Sequence, residues 1–188
     1  AATSDLTAVA YLVVQDGTYH FKTHYYLPES ALKDKADKEL YKYWKHQGYL
    51  TVTSGNVTDY DYITTDMLRY ADVVNIQSVG YDKYNATQWA IDSTEQGLPL
   101  EEYPQTLGNF NMPTRELERL ILSGKAVIDN NEINRYCFRN VTLKSDYNGN
   151  VKPNKAVDKK KIDGTIAMIQ ALGMFLRNPR FSNEIITI

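Results

Sequence analysis

One acidic residue, Asp163, comes two positions after a run of three lysines and starts a strongly periodic segment. The apolar residues of this segment recur at steps of three and four, which predicts a helix with one face in a core. They are Ile162, Ile166, Ile169 and Leu172. Free backbone amides at a helix start favour a carboxylate, so Asp163 could simply cap this helix. Beside lysines that attract phosphate, it could instead be a metal ligand.

A second candidate acid, Asp82, follows a segment with the pattern of a buried strand. Residues 72–78 alternate around three apolar side chains, which predicts a central strand of a sheet. Asn85 is placed to cap a helix predicted from Ala86 to Gln96. Asp82 is therefore expected near the carboxyl edge of a sheet, where α/β proteins bind ligands, although it could be an ordinary turn residue.

Two carboxylates held close together repel each other unless they bind a cation or share a proton. Oxygen ligands favour Mg²⁺ or Mn²⁺ over Zn²⁺, and two such ions about 4 Å apart can activate a water for phosphodiester cleavage. The sequence contains neither the glycine-rich loop of P-loop ATPases nor the serine elbow of α/β hydrolases. The residues alone therefore point to a metal-dependent phosphoryl-transfer enzyme.

The 188 residues are enough for one well-buried domain, and 43% hydrophobic with 23% charged residues is typical of a globular protein. No apolar run approaches the roughly 20 residues of a membrane span, and the longest run, Ala8 to Val14, is predicted to be a buried strand. The N-terminus lacks the pattern of a signal peptide, so a cytoplasmic protein is expected. The single cysteine, Cys137, excludes an internal disulfide and a cysteine-based zinc site, and it is expected to be buried.

The net charge of −2 gives no general attraction for nucleic acid, but five lysines lie within ten residues of one another. They are Lys152, Lys155, Lys159, Lys160 and Lys161. Such a run either forms a solvated loop or binds a phosphate backbone with little sequence preference. The fifteen tyrosines either fill half-buried sheet positions or stack on bases.

The order of the remaining elements predicts an α/β fold with a mixed sheet. Two strands, Thr7–Gln15 and Thr18–Tyr26, are predicted to form a hairpin around an Asp-Gly turn. His20 and His24 on the second strand are too far apart to share a metal, so both are expected on the solvent face. The patterns also predict helices over 30–44, from Asp59 or Asp61 to Tyr70 and from Pro113 to Gly124, strands over 49–53 and 98–106, and a second hairpin around residues 146–149.

A series of short motifs in a fixed order resembles the large terminase subunit of tailed phages, and more narrowly its C-terminal nuclease domain. The motifs cover nearly the whole chain and include Thr3–Ala8, Trp44–Leu50, Ser54–Asp61, Gly80–Asp82, Glu116–Leu120 and Lys160–Gly164. The resemblance implies a ribonuclease-H-like mixed sheet flanked by helices, in one domain over residues 1–188. It also implies an endonuclease that uses Mg²⁺ or Mn²⁺ to cut concatemeric viral DNA during packaging.

By the same resemblance, Asp82 and Asp163 match the family's second and third acidic ligands. The lysines expected to contact DNA are Lys155, Lys160 and Lys161. The implied partners are double-stranded DNA, a terminase small subunit and a portal protein, in the cytoplasm of a bacterial host.

The family's first acid lies on an opening strand, a few residues before the motif that begins at Thr3. The resemblance therefore implies that this acid, the start of its strand and an ATPase domain lie outside this chain. Asp5 is expected to be a loop residue or a substitute ligand, and the chain by itself is expected to cut poorly. A non-catalytic module that grips DNA or docks on the portal is one alternative, and another ribonuclease-H-like nuclease such as a resolvase is a second.

Overall fold

The computed structural model describes residues 5–34, 37–83, 86–158 and 160–179. In chain order its elements are β1 (Thr7–Gln15), β2 (Thr18–Pro28), α1 (Ala31–Asp34), α2 (Lys38–His46), β3 (Thr51–Thr53), α3 (Tyr60–Ala71), β4 (Val79–Tyr81), α4 (Thr87–Glu95), β5 (Leu100–Glu102), α5 (Leu107–Leu122), β6 (Ala126–Ile128), α6 (Glu132–Arg139), β7 (Val141–Ser145), β8 (Val151–Lys155) and α7 (Asp163–Arg177). The mixture of strands and helices confirms the predicted α/β class. Within the described residues, no helix is long and apolar enough to cross a membrane.

The first hairpin supplies two strands of the largest sheet. Strands β1 and β2 pair antiparallel from Thr7 opposite Tyr26 to Gln15 opposite Thr18. The turn residues Asp16 and Gly17 have φ angles of 49° and 74°, which suit the Asp-Gly turn expected from the sequence. On its other edge β2 pairs in parallel with β3 near its end and with β6 near its start.

Two smaller ladders complete the strand pairing of the described residues. Strands β4 and β5 pair in parallel as a separate two-stranded sheet, and β7 and β8 form an antiparallel hairpin. The second hairpin predicted from the sequence is therefore confirmed. The predicted strands over 49–53 and 98–106 are shorter, since only residues 51–53 and 100–102 are extended and paired.

The apolar face of α7 that the sequence predicts packs into a core cluster. Met168, Ile169 and Leu172 are buried, and they share a core cluster with Phe21 of β2 and Leu120 of α5. Two further clusters lie under α2 and under α3. Helix α7 therefore contacts β1, β2, β4, α5 and α6.

The predicted central strand over residues 72–78 is wrong. Helix α3 continues to Ala71, and the amides of Val73 and Val74 both donate to the carbonyl of Tyr70. Val73 is 72% exposed, so its side chain adds nothing to a core. The apolar alternation belongs to a turn that leaves the helix, and the strand is the later segment β4.

The predicted start of the fifth helix at Pro113 is also wrong. Helix α5 begins six residues earlier, where the side chain of Thr106 accepts a hydrogen bond from the amide of Asn109 (3.3 Å). Pro113 has no N–H for the carbonyl of Asn109 four residues before it. The hydroxyl of Tyr103 donates to that carbonyl instead (2.7 Å), so the helix passes through the proline without leaving an unsatisfied acceptor.

Other predicted helices survive with small changes. The helix expected over 30–44 is divided into α1 and α2. The side chain of Asp59 caps α3 by accepting from the amide of Tyr62 (2.9 Å), as one of the two predicted start residues. Helix α4 ends before Gly97, whose φ of 102° suits only glycine, while its predicted cap Asn85 lies outside the described residues.

The two histidines of β2 differ in their surroundings. His20 is exposed, as predicted. His24 is half-buried, which corrects its predicted place on the solvent face: Nδ1 lies 3.1 Å from Oδ2 of Asp66, and Nε2 lies 3.0 Å from the hydroxyl of Tyr70. Helix α3 covers this end of β2, so the polar face of the strand is used for a hydrogen-bonded contact rather than for solvent.

Candidate active site

The carboxylate of Asp163 stands at the first residue of α7. Its Oδ2 atom is enclosed and accepts no hydrogen bond from any described residue. Burial raises the pKa of this carboxyl to about 6, and repulsion from Asp5 adds to the effect. The amide of Asp163 itself, in the first turn, interacts with the carboxylate and opposes the rise in its pKa, as a helix-capping contact would. The enclosed, unpartnered oxygen is what a bound cation would satisfy.

Asp5 lies close enough to Asp163 for their charges to interact, and its own partner is a lysine. Lys161 Nζ donates to Oδ1 of Asp5, and both side chains of this ion pair are largely shielded from solvent. The positive charges of Lys161 and Lys155 oppose the rise in the pKa of Asp163. The region is therefore a partly neutralised acidic pocket at the amino end of α7.

The three lysines predicted to contact DNA are all near acidic or aromatic groups. Lys160 Nζ lies 4.0 Å from Oδ1 of Asp37 and 5.7 Å from the ring centre of Tyr136. Lys161 is paired with Asp5, and Lys155 is half-buried at the end of β8. Their contact with DNA stays a prediction.

The direction of β4 along α7 decides where Asp82 lies. A Cβ atom on Gly80 would come within 2.5 Å of Cγ of Met174. Tyr103 follows β5, and the register of β4 and β5 puts it level with Asp82. The carbonyl of Tyr103 accepts a hydrogen bond from Nε2 of Gln170 (3.3 Å). Both strands therefore run from the carboxyl end of α7 towards its amino end.

This direction brings Asp82 towards the end of the helix that carries Asp163. Gln170 lies seven residues after Asp163, which is about 10 Å along the helix axis. The charged groups that affect the pKa of Asp163 most strongly are Asp5, Lys161 and Lys155. That Asp82 and Asp163 bind the same two metal ions stays a prediction.

Acidic ligands from the described residues do not complete a metal site by themselves. Nowhere in the described ranges do three His, Cys, Asp or Glu side chains come together in a way that could hold a metal ion. Asp163 and Asp5 supply two carboxylates and one unpartnered oxygen, which fit part of the oxygen shell of Mg²⁺ or Mn²⁺. A full shell needs further ligands.

Several residues that hold the amino end of α7 in place could not be identified from sequence patterns. The hydroxyl of Tyr25 donates to Oδ1 of Asn134 (2.5 Å), and a Cβ atom on Gly164 would lie only 1.8 Å from that hydroxyl. Cys137 is fully buried, as predicted, and burial raises the pKa of its thiol to about 11. Tyr25 and Asn134 are 109 residues apart in the chain, and no local pattern links them.

Comparison with known proteins gives one family. A family model described as the terminase large subunit, endonuclease domain, matches residues 1–178. The chain is 27% identical over 178 residues to the large terminase subunit of Enterobacteria phage HK97, covering 92% of this chain and 35% of that protein. It is 32% identical over 168 residues to the protein YmfN of Escherichia coli K12, covering 81% of this chain and 37% of that protein. The chain thus spans about a third of the length of these relatives.

Two solved structures are similar to this fold. The crystal structure of the HK97 large terminase matches with a TM-score of 0.83 and 27% identity, over 93% of this chain and 37% of that one. The large terminase nuclease of the thermophilic phage G20c matches with a TM-score of 0.51 and 14% identity, over 66% of this chain and 64% of that one. The predicted ribonuclease-H-like fold is confirmed by these likenesses.

Proposed function

Since the chain belongs to the terminase large subunit endonuclease domain family, we propose that it is the domain that cuts concatemeric viral DNA during packaging. The observation that supports this most directly is the enclosed Oδ2 of Asp163, which no described residue satisfies. A buried carboxylate without a partner is costly for a fold to keep. A divalent cation held by Asp163 would account for it.

The cofactor we propose is Mg²⁺ or Mn²⁺, which bound here would polarise the scissile phosphate and activate a water. Asp163 would hold the ion from the rigid start of α7, and Asp82 would approach it from the end of β4. Asp5 is a candidate for a further oxygen ligand if Lys161 leaves it. The family resemblance implies one further acidic ligand, which would complete the set.

The basic side chains near Asp163 would position the DNA. Lys155 and Lys160 would attract the phosphate backbone, and Lys161 would exchange its contact with Asp5 for a phosphate oxygen. We propose double-stranded DNA as the substrate, with a terminase small subunit and a portal protein as partners in the cytoplasm of a bacterial host.

Plasmid nicking tests this function. A version of the chain extended at its N-terminus should nick supercoiled plasmid in the presence of Mn²⁺, and Asp163→Asn should lower the rate by at least about 100-fold because it removes a ligand charge. Asp158→Asn is the matched control, since Asp158 is exposed and lies five residues before Asp163. Unchanged nicking by Asp163→Asn would contradict the proposal.

A non-catalytic role in gripping DNA is the second candidate. It is favoured by the lack of a three-ligand metal group among the described residues. On this hypothesis the extended version binds DNA in a salt-sensitive way and never cuts it at any Mn²⁺ concentration. Comparing cleavage of linear duplex and four-way junctions would separate a packaging nuclease from a resolvase.

A further inference from the structure

Two buried tyrosines place their hydroxyl groups against glycines of α7. A Cβ atom on Gly164 would lie 1.8 Å from the hydroxyl of Tyr25, and one on Gly173 would lie 2.0 Å from the hydroxyl of Tyr103. At each of these positions only glycine leaves room for the tyrosine hydroxyl. The two contacts are of the same kind, but Gly164 adjoins Asp163 and Gly173 lies near the opposite end of the helix.

The hydroxyl of Tyr25 is held by a chain of buried hydrogen bonds. It donates to Oδ1 of Asn134 (2.5 Å), which also accepts from the hydroxyl of Thr23 (2.8 Å). The amide Nδ2 of Asn134 donates to Oδ1 of Asp129 (2.7 Å). Tyr25 and Asn134 are only 1% and 2% exposed. These bonds link β2, the end of β6 and α6, so the hydroxyl has one well-defined position.

The first turn of α7 is held from one side by α6, where the buried thiol of Cys137 interacts with the backbone amides of Gly164 and Thr165, and from the other side by Tyr25 of β2. Its cap residue, Ile162, offers no side-chain hydrogen bond, and Oδ2 of Asp163 is itself unpartnered within the described chain. The contact between Tyr25 and the backbone at Gly164 thus sets how closely this turn approaches β2. Because Asp163 is the preceding residue, the same contact sets where its carboxylate lies.

We propose that Tyr25 and Asn134 are positioning residues that hold Asp163 in the orientation needed to bind a divalent cation. The inference rests on the proposed nuclease function, which supplies the cation. Neither residue would touch the metal or the DNA. Residues behind metal ligands commonly change metal affinity by about 10- to 100-fold when they are removed.

Tyr25→Phe in the N-terminally extended version tests this inference, because it deletes the hydroxyl and keeps the ring. We expect the Mn²⁺ concentration for half-maximal plasmid nicking to rise about tenfold. Mn²⁺ binding without DNA, followed by electron paramagnetic resonance, should weaken by the same factor. Asn134→Ser, which removes the acceptor of the tyrosine hydroxyl, should shift both measurements in the same direction.

Tyr103→Phe is the matched control, since it removes a hydroxyl that also packs against a glycine of α7, but far from Asp163. Both tyrosine variants should lower the thermal midpoint, but only Tyr25→Phe should change Mn²⁺ affinity. Equal Mn²⁺ affinity in Tyr25→Phe and in the unsubstituted protein would overturn the positioning role, as would an equal loss in Tyr103→Phe. If the unsubstituted protein binds Mn²⁺ but never cuts DNA, the nuclease function fails while the binding measurement still decides the role of Tyr25.

Discussion

At the scale of single residues, Asp163 combines an enclosed, unpartnered oxygen with a raised pKa. Its Oδ2 is enclosed and unpartnered within the described chain, and burial with repulsion from Asp5 raises its pKa to about 6. Both effects disfavour the ionised carboxylate at neutral pH. The ionised carboxylate of Asp163 therefore destabilises the folded protein, which is typical of residues kept for a function.

The metal-free protein should show this cost as a pH dependence of stability. The pKa of Asp163 is higher in the folded state (about 6) than its ordinary value of 3.8, so the folded state binds more protons between these limits. The contribution of Asp163 to the free energy of unfolding should therefore fall as pH rises from about 4 to 6 and stay low above that.

Asp163→Asn should remove this contribution and stabilise the metal-free protein at pH 7 by up to about 3 kcal/mol, at 1.36 kcal/mol per pH unit. Urea denaturation at pH 4.5 and pH 7 in the presence of EDTA measures the difference. Asp158→Asn serves again as the exposed control. If Asp163→Asn is no more stable than the parent protein at pH 7, burial of the Asp163 carboxylate does not destabilise the folded state.

At the scale of elements, α7 is shaped by its glycines. Gly164 and Gly173 receive tyrosine hydroxyls, and the helix can approach β2 and the segment after β5 only because these positions lack a side chain. Gly108 in α5 contrasts with them, since a Cβ atom there would meet nothing within 4 Å. Glycine is thus required at two positions of α7 and is optional in α5.

This contrast predicts opposite effects of the same substitution. Gly164→Ala should lower the free energy of unfolding by roughly 1–3 kcal/mol or more, because the added methyl group overlaps the rigid Tyr25. Gly108→Ala should be neutral or stabilise by up to about 1 kcal/mol, because alanine favours helix. Chemical denaturation of both variants measures the two effects. Equal changes in the two variants would mean that the Tyr25 contact does not restrict α7.

At the scale of the whole molecule, the proposed DNA binding would depend on a local group of lysines, because the net charge is −2. Lys155 and Lys161 lie near Asp163, as their effect on its pKa indicates. Lys125 is exposed beside Tyr19, whose amide donates to its carbonyl (2.8 Å), near the start of β2. Tyr25 lies six residues further along β2, about 20 Å away.

The salt dependence of DNA affinity should reflect this local group. If the three predicted lysines each contact one phosphate, the logarithm of the binding constant should fall against that of salt concentration with a slope of about −3. Lys155→Gln should reduce the size of this slope by about 1, whereas Lys125→Gln should leave it unchanged. Fluorescence anisotropy with a duplex at several salt concentrations measures the slopes. A similar effect of both variants would place the DNA elsewhere.

The sequence alone determined the features that depend on neighbouring residues. The Asp-Gly turn, the cap at Asp59, the apolar face of α7 and the ordered motifs of the terminase family all rest on local patterns, and each agrees with the structure or the comparisons. Local pattern failed at residues 72–78, because the apolar residues there follow the end of α3 in a segment without strand pairing, where Val73 is exposed. It also failed at Pro113, because a tyrosine ten residues earlier satisfies the carbonyl that proline leaves free.

Only the tertiary structure decided what surrounds the candidate site. The ion pair between Asp5 and Lys161 joins residues 156 positions apart, and the bond between Tyr25 and Asn134 spans 109 positions. The enclosure of Oδ2 of Asp163 likewise depends on packing between distant segments. Burial and long-range contacts are produced by the folded chain as a whole, so residue types and spacing identify Asp163 as a candidate ligand but do not reveal what holds it in place.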